Sequence, residues 1–106
     1  MSEKGFGDGA SFTVTGPLWL WTGEKGSWHF FTVPQDTASD IRLRNMAQTG
    51  GFGSIRVEAK VGDVAWRTSI FPVKRTGEYI LAVKADVRRR AGISAGDEVV
   101  LSLELI

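Results

Sequence analysis

The sequence predicts a mainly β protein: a closed barrel of six to seven strands with two short helices and a pseudo-twofold internal repeat. Three observations carry that reading. Alternating apolar and polar residues recur in seven short segments separated by turn residues. Two of these segments, Trp28–Val33 and Glu78–Val83, each run into helix-capping chemistry, then a glycine, then a further alternating segment. So many short strands joined by regular turns suit a barrel better than an open sheet, because closure removes the edges on which strands aggregate.

Residues 1–9 hold three glycines and several charged residues, with Phe6 as the one large apolar side chain, and are expected as a loose tail. Residues 10–106 are expected as a single barrel domain. Phe12 and Val14 begin the first strand. Gly16-Pro17 should break it, since proline has no N–H to give a ladder. Leu18-Trp19-Leu20-Trp21 resumes with aliphatic residues on one face and tryptophans on the other, and Gly23-Glu24-Lys25-Gly26 turns the chain back. Trp28 to Val33 is bulky on both faces, so both faces are expected to be covered, with Trp28 and later Trp66 filling the barrel.

Pro34 ends that strand. Asp36 or Thr37 is expected to cap the first helix, with Asp40 as the capping-box partner of Thr37, and Ala38, Ile41 and Met46 as its inward stripe. Gln48 to Gly53 reads as a glycine loop. Ile55, Val57, Ala59 and Val61 then alternate with Arg56, Glu58 and Lys60, the pattern of a strand with one wet face. Gly62-Asp63 is a tight turn, Val64 to Phe71 returns, and Lys74–Gly77 is an exposed turn.

The most informative stretch is Gly77 to Leu105. Tyr79, Leu81 and Val83 share one strand face. Asp86 is expected as an N-cap that also favours the positive helix end. Val87 and Ala91, four apart, share the inward face of the helix, and Arg88, Arg89 and Arg90 suit its last turn. Gly92 is the left-handed residue that stops the helix, Ile93 its hydrophobic contact, and Gly96-Asp97 the turn into a strand with Val99, Leu101, Leu103 and Leu105 on one face. The repeat aligns Trp28–Pro34 with Glu78–Lys84, Asp36 with Asp86, and Gly53–Ala59 with Gly96–Ser102.

Composition bounds the function. A chain of 106 residues is small but long enough to bury roughly two-thirds of its unfolded surface. With no cysteine, disulfides, thiolate catalysis and zinc–thiolate sites are excluded, and a reducing cytoplasmic location is expected. No apolar run approaches the ~20 residues of a membrane helix, and no signal-peptide core is visible, so no membrane role is expected. The formal charge is +1, but residues 54–106 carry nine basic and seven acidic residues against four and five before them.

His29 is the single histidine and stands among aromatics without a nucleophile motif, so no catalytic residue and no metal ligand is assigned. Gly50-Gly51-Phe52-Gly53 lacks the Lys-Ser and the following helix of a phosphate loop. The candidate ligand-binding residues are the paired Trp19 and Trp21 together with Arg42, Arg67, Arg88 and Arg89. Asp86, Gly92, Gly96 and Asp97 are expected to be structural. No cofactor is expected. Three function classes remain: a non-catalytic binding module for a small anionic ligand or a protein partner, acting as a monomer or weak homodimer; a nucleic-acid-binding barrel, implied by a fold resemblance alone; and an enzyme built on carboxylates such as Asp63, Asp86 or Asp97 with nearby arginines. Nucleic acid is disfavoured. The net charge is small, and adjacent helical arginines point about 100° apart and cannot share one phosphate backbone.

The stretch VKADVRRRAGISAGDEVVLSL resembles the swapped-hairpin half-barrel of AbrB-type transition-state regulators, which dimerise to complete one barrel and bind DNA. Over a longer span, from about Phe12 to the C-terminus, the series Trp28, Val33-Pro34, GFGSI at residues 51–55, Trp66-Arg67-Thr68-Ser69, Tyr79, Val87-Arg88, Gly92-Ile93 and Gly96-Asp97 resembles the small prokaryotic β-barrel family named domain of unknown function 1905. That resemblance implies a closed barrel and no activity. It also implies that Arg88, in the matched Val-Arg pair, is a structural arginine bonded to loop carbonyls or to Asp97.

Overall fold

The computed structural model describes residues 11–49 and 53–106. Its elements run β1 (Ser11–Gly23), β2 (Gly26–Val33), α1 (Gln35–Thr49), β3 (Ile55–Val61), β4 (Val64–Val73), β5 (Glu78–Ala82), α2 (Ala85–Ala91) and β6 (Glu98–Leu105). The expected tail, and the part of the expected glycine loop at 50–52, lie outside the described residues. Gln48 and Thr49, expected in that loop, belong to α1 instead, which at 15 residues is not short.

The strands are antiparallel and close into a barrel in the order β1-β2-β5-β4-β3-β6. Exchanging β1 with β4, β2 with β5 and β3 with β6 leaves every neighbour relation unchanged, so the topology carries the expected pseudo-twofold. The register locates the axis. Residues fifty apart match in the first repeat strand, where His29, Phe31 and Val33 point inward like Tyr79, Leu81 and Val83, and Phe31 lies opposite its own equivalent Leu81. In the second, the buried Ile55, Val57 and Ala59 match the buried Val99, Leu101 and Leu103, and Ala59 lies opposite its equivalent Leu103. The sequence alignment of Gly53–Ala59 with Gly96–Ser102 is therefore one residue out. In a strand, such a slip turns every side chain to the other face, and it had set the buried Ile55 against the exposed Glu98.

β1 passes straight through Gly16-Pro17, so the described strands number six rather than seven. Residues Ser11–Pro17 pair with β6 and Leu18–Gly23 with β2. Pro17 stands at the last rung before the strand changes partner, where a missing donor is tolerated. Leu18 then donates to Asp97 O at 3.0 Å and accepts from Gly96 N–H at 2.8 Å, which fastens the α2–β6 turn to β1.

Among the described residues, seventeen buried apolar side chains form the core, with Phe31, Leu18, Ile41, Ile70, Leu81, Leu101 and Leu103 among the largest. Small barrels are plugged by such side chains. Trp66 packs on this core half-buried, as expected in kind, but Trp28 does not: it is 54 % exposed on the outside. The outer face of β2 is thus uncovered, contrary to the expectation of cover on both sides. α1 contributes Ala38 and Ile41 to the core, while Met46 faces out. Because α1 starts at Gln35, Thr37 and Asp40 fall inside it and do not form a capping box; Asp36 Oδ1 accepts from the adjacent Thr37 N–H at 2.8 Å.

α2 likewise begins two residues earlier than Asp86 as an N-cap requires. Lys84 holds the N-cap position without a side-chain bond, and Asp86 instead faces Arg89 at 3.3 Å and Arg90 at 3.7 Å. The carboxylate still favours the helix N-terminal end. The C-terminal expectation is met: Gly92 is left-handed at φ 69° and ψ 36°, with Gly92 N–H on Arg89 O and Ile93 N–H on Arg88 O. Asp97 accepts from Ser94 N–H at 2.8 Å and closes the following turn.

Candidate ligand-binding site

Two hollows meet at the β2–β5 side of the barrel. The first has a volume of about 290 Å³ and is lined by Ser27, Trp28 and His29 of β2 and by Ala82, Lys84 and Arg88 where β5 passes into α2. The local folding explains the convergence. The Val83 N–H donates to His29 O at 2.9 Å, extending the β2–β5 ladder one rung past β5. His29 lies on the inward face at the end of that ladder, above Phe31 and Val33. Arg88, one turn into α2, bends back and donates from Nη1 to Val83 O at 2.7 Å.

That single bond is the only protein acceptor for the Arg88 guanidinium among the described residues, so the rest of its fork is available. Lys84 has no ion pair among them either, and no carboxylate lines the hollow. The result is a pocket with two cations, a hydroxyl and an imidazole. Burial first, and the Arg88 charge second, hold the His29 pKa below its ordinary value. Near neutral pH the imidazole is uncharged, with one nitrogen donating and the other accepting. Such a donor set matches an anion: a bidentate arginine face, a point-charge ammonium, and neutral hydrogen-bonding groups.

The second hollow, about 580 Å³, lies on the outer sheet face and is lined by Trp19 and Trp21 of β1, Trp28 and Phe30 of β2, Phe71 of β4, and Ile80 and Ala82 of β5. The hairpin register creates it. Gly23 opposes Gly26, which sets Trp21 against Trp28 and Trp19 against Phe30 on one face. Trp19 is half-buried, and its Nε1–H donates to Thr32 Oγ1 at 2.8 Å, locking the indole against the sheet. Its ring centroid is 5.1 Å from that of Phe30, and Phe30 stacks on Trp28 at 6.5 Å with 15° between planes. Trp21 and Phe71 remain about half exposed, at 49 % and 50 %. Trp28 and Ala82 line both hollows and join them.

Of the residues nominated from sequence, Trp19 and Trp21 meet on this face and Arg88 lies beyond Trp28. Arg42 lies elsewhere, 5.8 Å above the Tyr79 ring, in a separate hollow of about 240 Å³ with Gly53, Pro72 and Lys74. Arg67 is an exposed residue opposite Glu58 in the β3–β4 ladder, and Arg89 is turned to Asp86. Ser27, Lys84, Phe30, Phe71 and His29 also line the hollows, although no motif in the sequence nominates them. Counting the hairpin outward from Gly23 and Gly26 is the signal that finds Trp28 and Phe30, because it places them beside Trp21 and Trp19. Among the described residues no three His, Cys, Asp or Glu side chains group as metal ligands would.

A family model described as "Domain of unknown function (DUF1905)" matches residues 15–103, which takes in every residue of both hollows. No curated protein matches the chain.

Proposed function

The chain belongs to the domain of unknown function 1905 family, and on that premise we propose that the protein is a non-catalytic binding module for a small anionic ligand held between β2 and α2. One observation carries the reading: Lys84 and Arg88 converge on one hollow of about 290 Å³ that no carboxylate among the described residues lines, with Ser27 and His29 beside them. Cations elsewhere on α2 are partly compensated. Arg89 and Arg90 both face Asp86, and pairs this exposed contribute little beyond local neutralisation. The same compensation weakens the nucleic-acid reading, since the three arginines of α2 do not form one positive face. An enzymatic reading built on carboxylates would need one in the pocket, and among the described residues none lines it.

The test is calorimetric titration of the full chain with inorganic sulfate at low ionic strength, in the wild type and in Lys84→Gln and Arg88→Gln. Saturable binding to one site that weakens at least about tenfold in each variant is expected, since each loses a charge-assisted contact. Absence of saturable sulfate binding, or binding indifferent to both substitutions, overturns the proposal. Tight association with labelled duplex DNA that persists at physiological salt would replace it with the nucleic-acid reading.

A further inference from the structure

We infer that the ligand is an amphipathic anion, an acid group carried on a flat aromatic ring system, with the acid at Lys84 and Arg88 and the ring on the outer aromatic face. The inference rests on the anion-binding reading and adds the chemistry of the rest of the ligand. Trp28 and Ala82 belong to both hollows, so a molecule anchored by its acid in the first has a continuous path onto the second. Among the described residues no charged side chain lines the aromatic hollow. An acid group therefore finds partners at one end of the combined site only, and this charge asymmetry orients the ligand.

The aromatic face is shaped for a plane. Trp19 is held by its bond to Thr32, and Phe30 is braced between Trp19 and Trp28. A platform already fixed in place costs little ordering entropy when a ligand settles on it. Ring faces attract another ring by offset stacking as well as by burial, whereas an alkyl chain gains burial alone. The exposed parts of Trp21, Trp28 and Phe71 are the area such a ligand would take out of water.

The experiment titrates the full chain, by calorimetry and by tryptophan emission, with 2-naphthaleneacetate, 2-naphthaleneethanol, decanoate, acetate and sulfate. Naphthaleneacetate is expected to bind about tenfold or more tighter than acetate, its ring-free counterpart, and than naphthaleneethanol, its charge-free one, and to change tryptophan emission. Trp21→Ser and Phe71→Ser, both exposed and away from the cations, are expected to weaken naphthaleneacetate by about fivefold or more while leaving sulfate binding unchanged. Sulfate binding with naphthaleneacetate no tighter than acetate overturns this inference and spares the anion site. Loss of binding for every anion overturns both. Decanoate binding as tightly as naphthaleneacetate overturns the aromatic assignment. A concentration-dependent dimer in sedimentation that Phe71→Ser dissociates, with no naphthaleneacetate uptake, gives the face to a second copy of the chain and overturns the inference too.

Discussion

Phe31 and Leu81 face each other across the β2–β5 ladder, both about 1 % exposed or less, and they are also the equivalent residues of the two halves of the chain. The pseudo-twofold axis passes between them. A position and its own repeat image thus share one packing volume, filled by one ring and one isobutyl group.

That sharing has a measurable result. Leu81→Phe alone places a second ring on the axis and is expected to cost about 1–3 kcal/mol through overpacking. Adding Phe31→Leu restores the total volume, so the double exchange is expected within about 1.5 kcal/mol of wild type, and less destabilised than the sum of the single changes. Urea denaturation of the four proteins of the cycle checks this; strict additivity would mean that the two side chains do not compete for one space.

The ends of α2 respond unequally. Gly92→Val is expected to cost more than about 1 kcal/mol, because a β-branched residue resists the left-handed backbone that stops the helix at φ 69°. Asp86→Ala is expected to cost about 0.5 kcal/mol or less, since its side chain caps nothing and its partners are exposed. Thermal melts of both variants decide, and an Asp86→Ala loss as large as that of Gly92→Val would contradict the arrangement.

Gly23 holds Trp21 in place by its lack of a side chain. A Cβ at Gly23 would land inside the Trp21 indole, so Gly23→Ala must drive that ring off the hairpin. Trp21 is half exposed and can swing into water, so global stability is expected to fall by about 1 kcal/mol or less. Tryptophan emission should shift to the red and naphthaleneacetate binding weaken, with sulfate binding unaltered. An unchanged emission spectrum would place the ring elsewhere.

His29 couples pH to both stability and ligand. Its folded pKa is lowered, so from about pH 6.5 downward to that lower value the unfolded chain holds more protons, and stability falls as pH falls. A bound anion favours the imidazolium, which stands beside Lys84 and Arg88. Sulfate binding should then take up protons and tighten as the pH drops from about 7.5 to about 5.5. Urea melts and sulfate titrations at both pH values, repeated in His29→Gln, check the opposed trends. Persistence of both trends in that variant would assign them to another group.

Much of this was legible along the chain. Strict alternation at Ile55–Val61 and Val99–Leu105 marked the buried faces of β3 and β6, and Arg-Arg-Arg-Ala-Gly marked where α2 stops. The halves were visible as a repeated order of strand, helix and strand. The candidate site was legible only in part. Trp19 and Trp21 stood out by composition, while Ser27, Lys84 and Phe71 are ordinary residues that acquire a role by position.

Local rules determined what depends on neighbours along the chain: strand period, turn glycines, the left-handed stop at Gly92 and the pairing of the halves. Tertiary structure decided what depends on which element comes to lie beside which. Closure of the barrel allotted its limited interior to aliphatic side chains with Phe31 and Tyr79, and left Trp28 outside with Trp21. The change of partner along β1 absorbed Pro17, whose missing donor would otherwise end a strand. The meeting of β2 with the β5–α2 corner set His29 beside Lys84 and Arg88, fifty-five and more residues away in sequence. A chain read in order has no term for such distances, because the energy that fixes them comes from packing and ladder bonds that exist only once the barrel has closed.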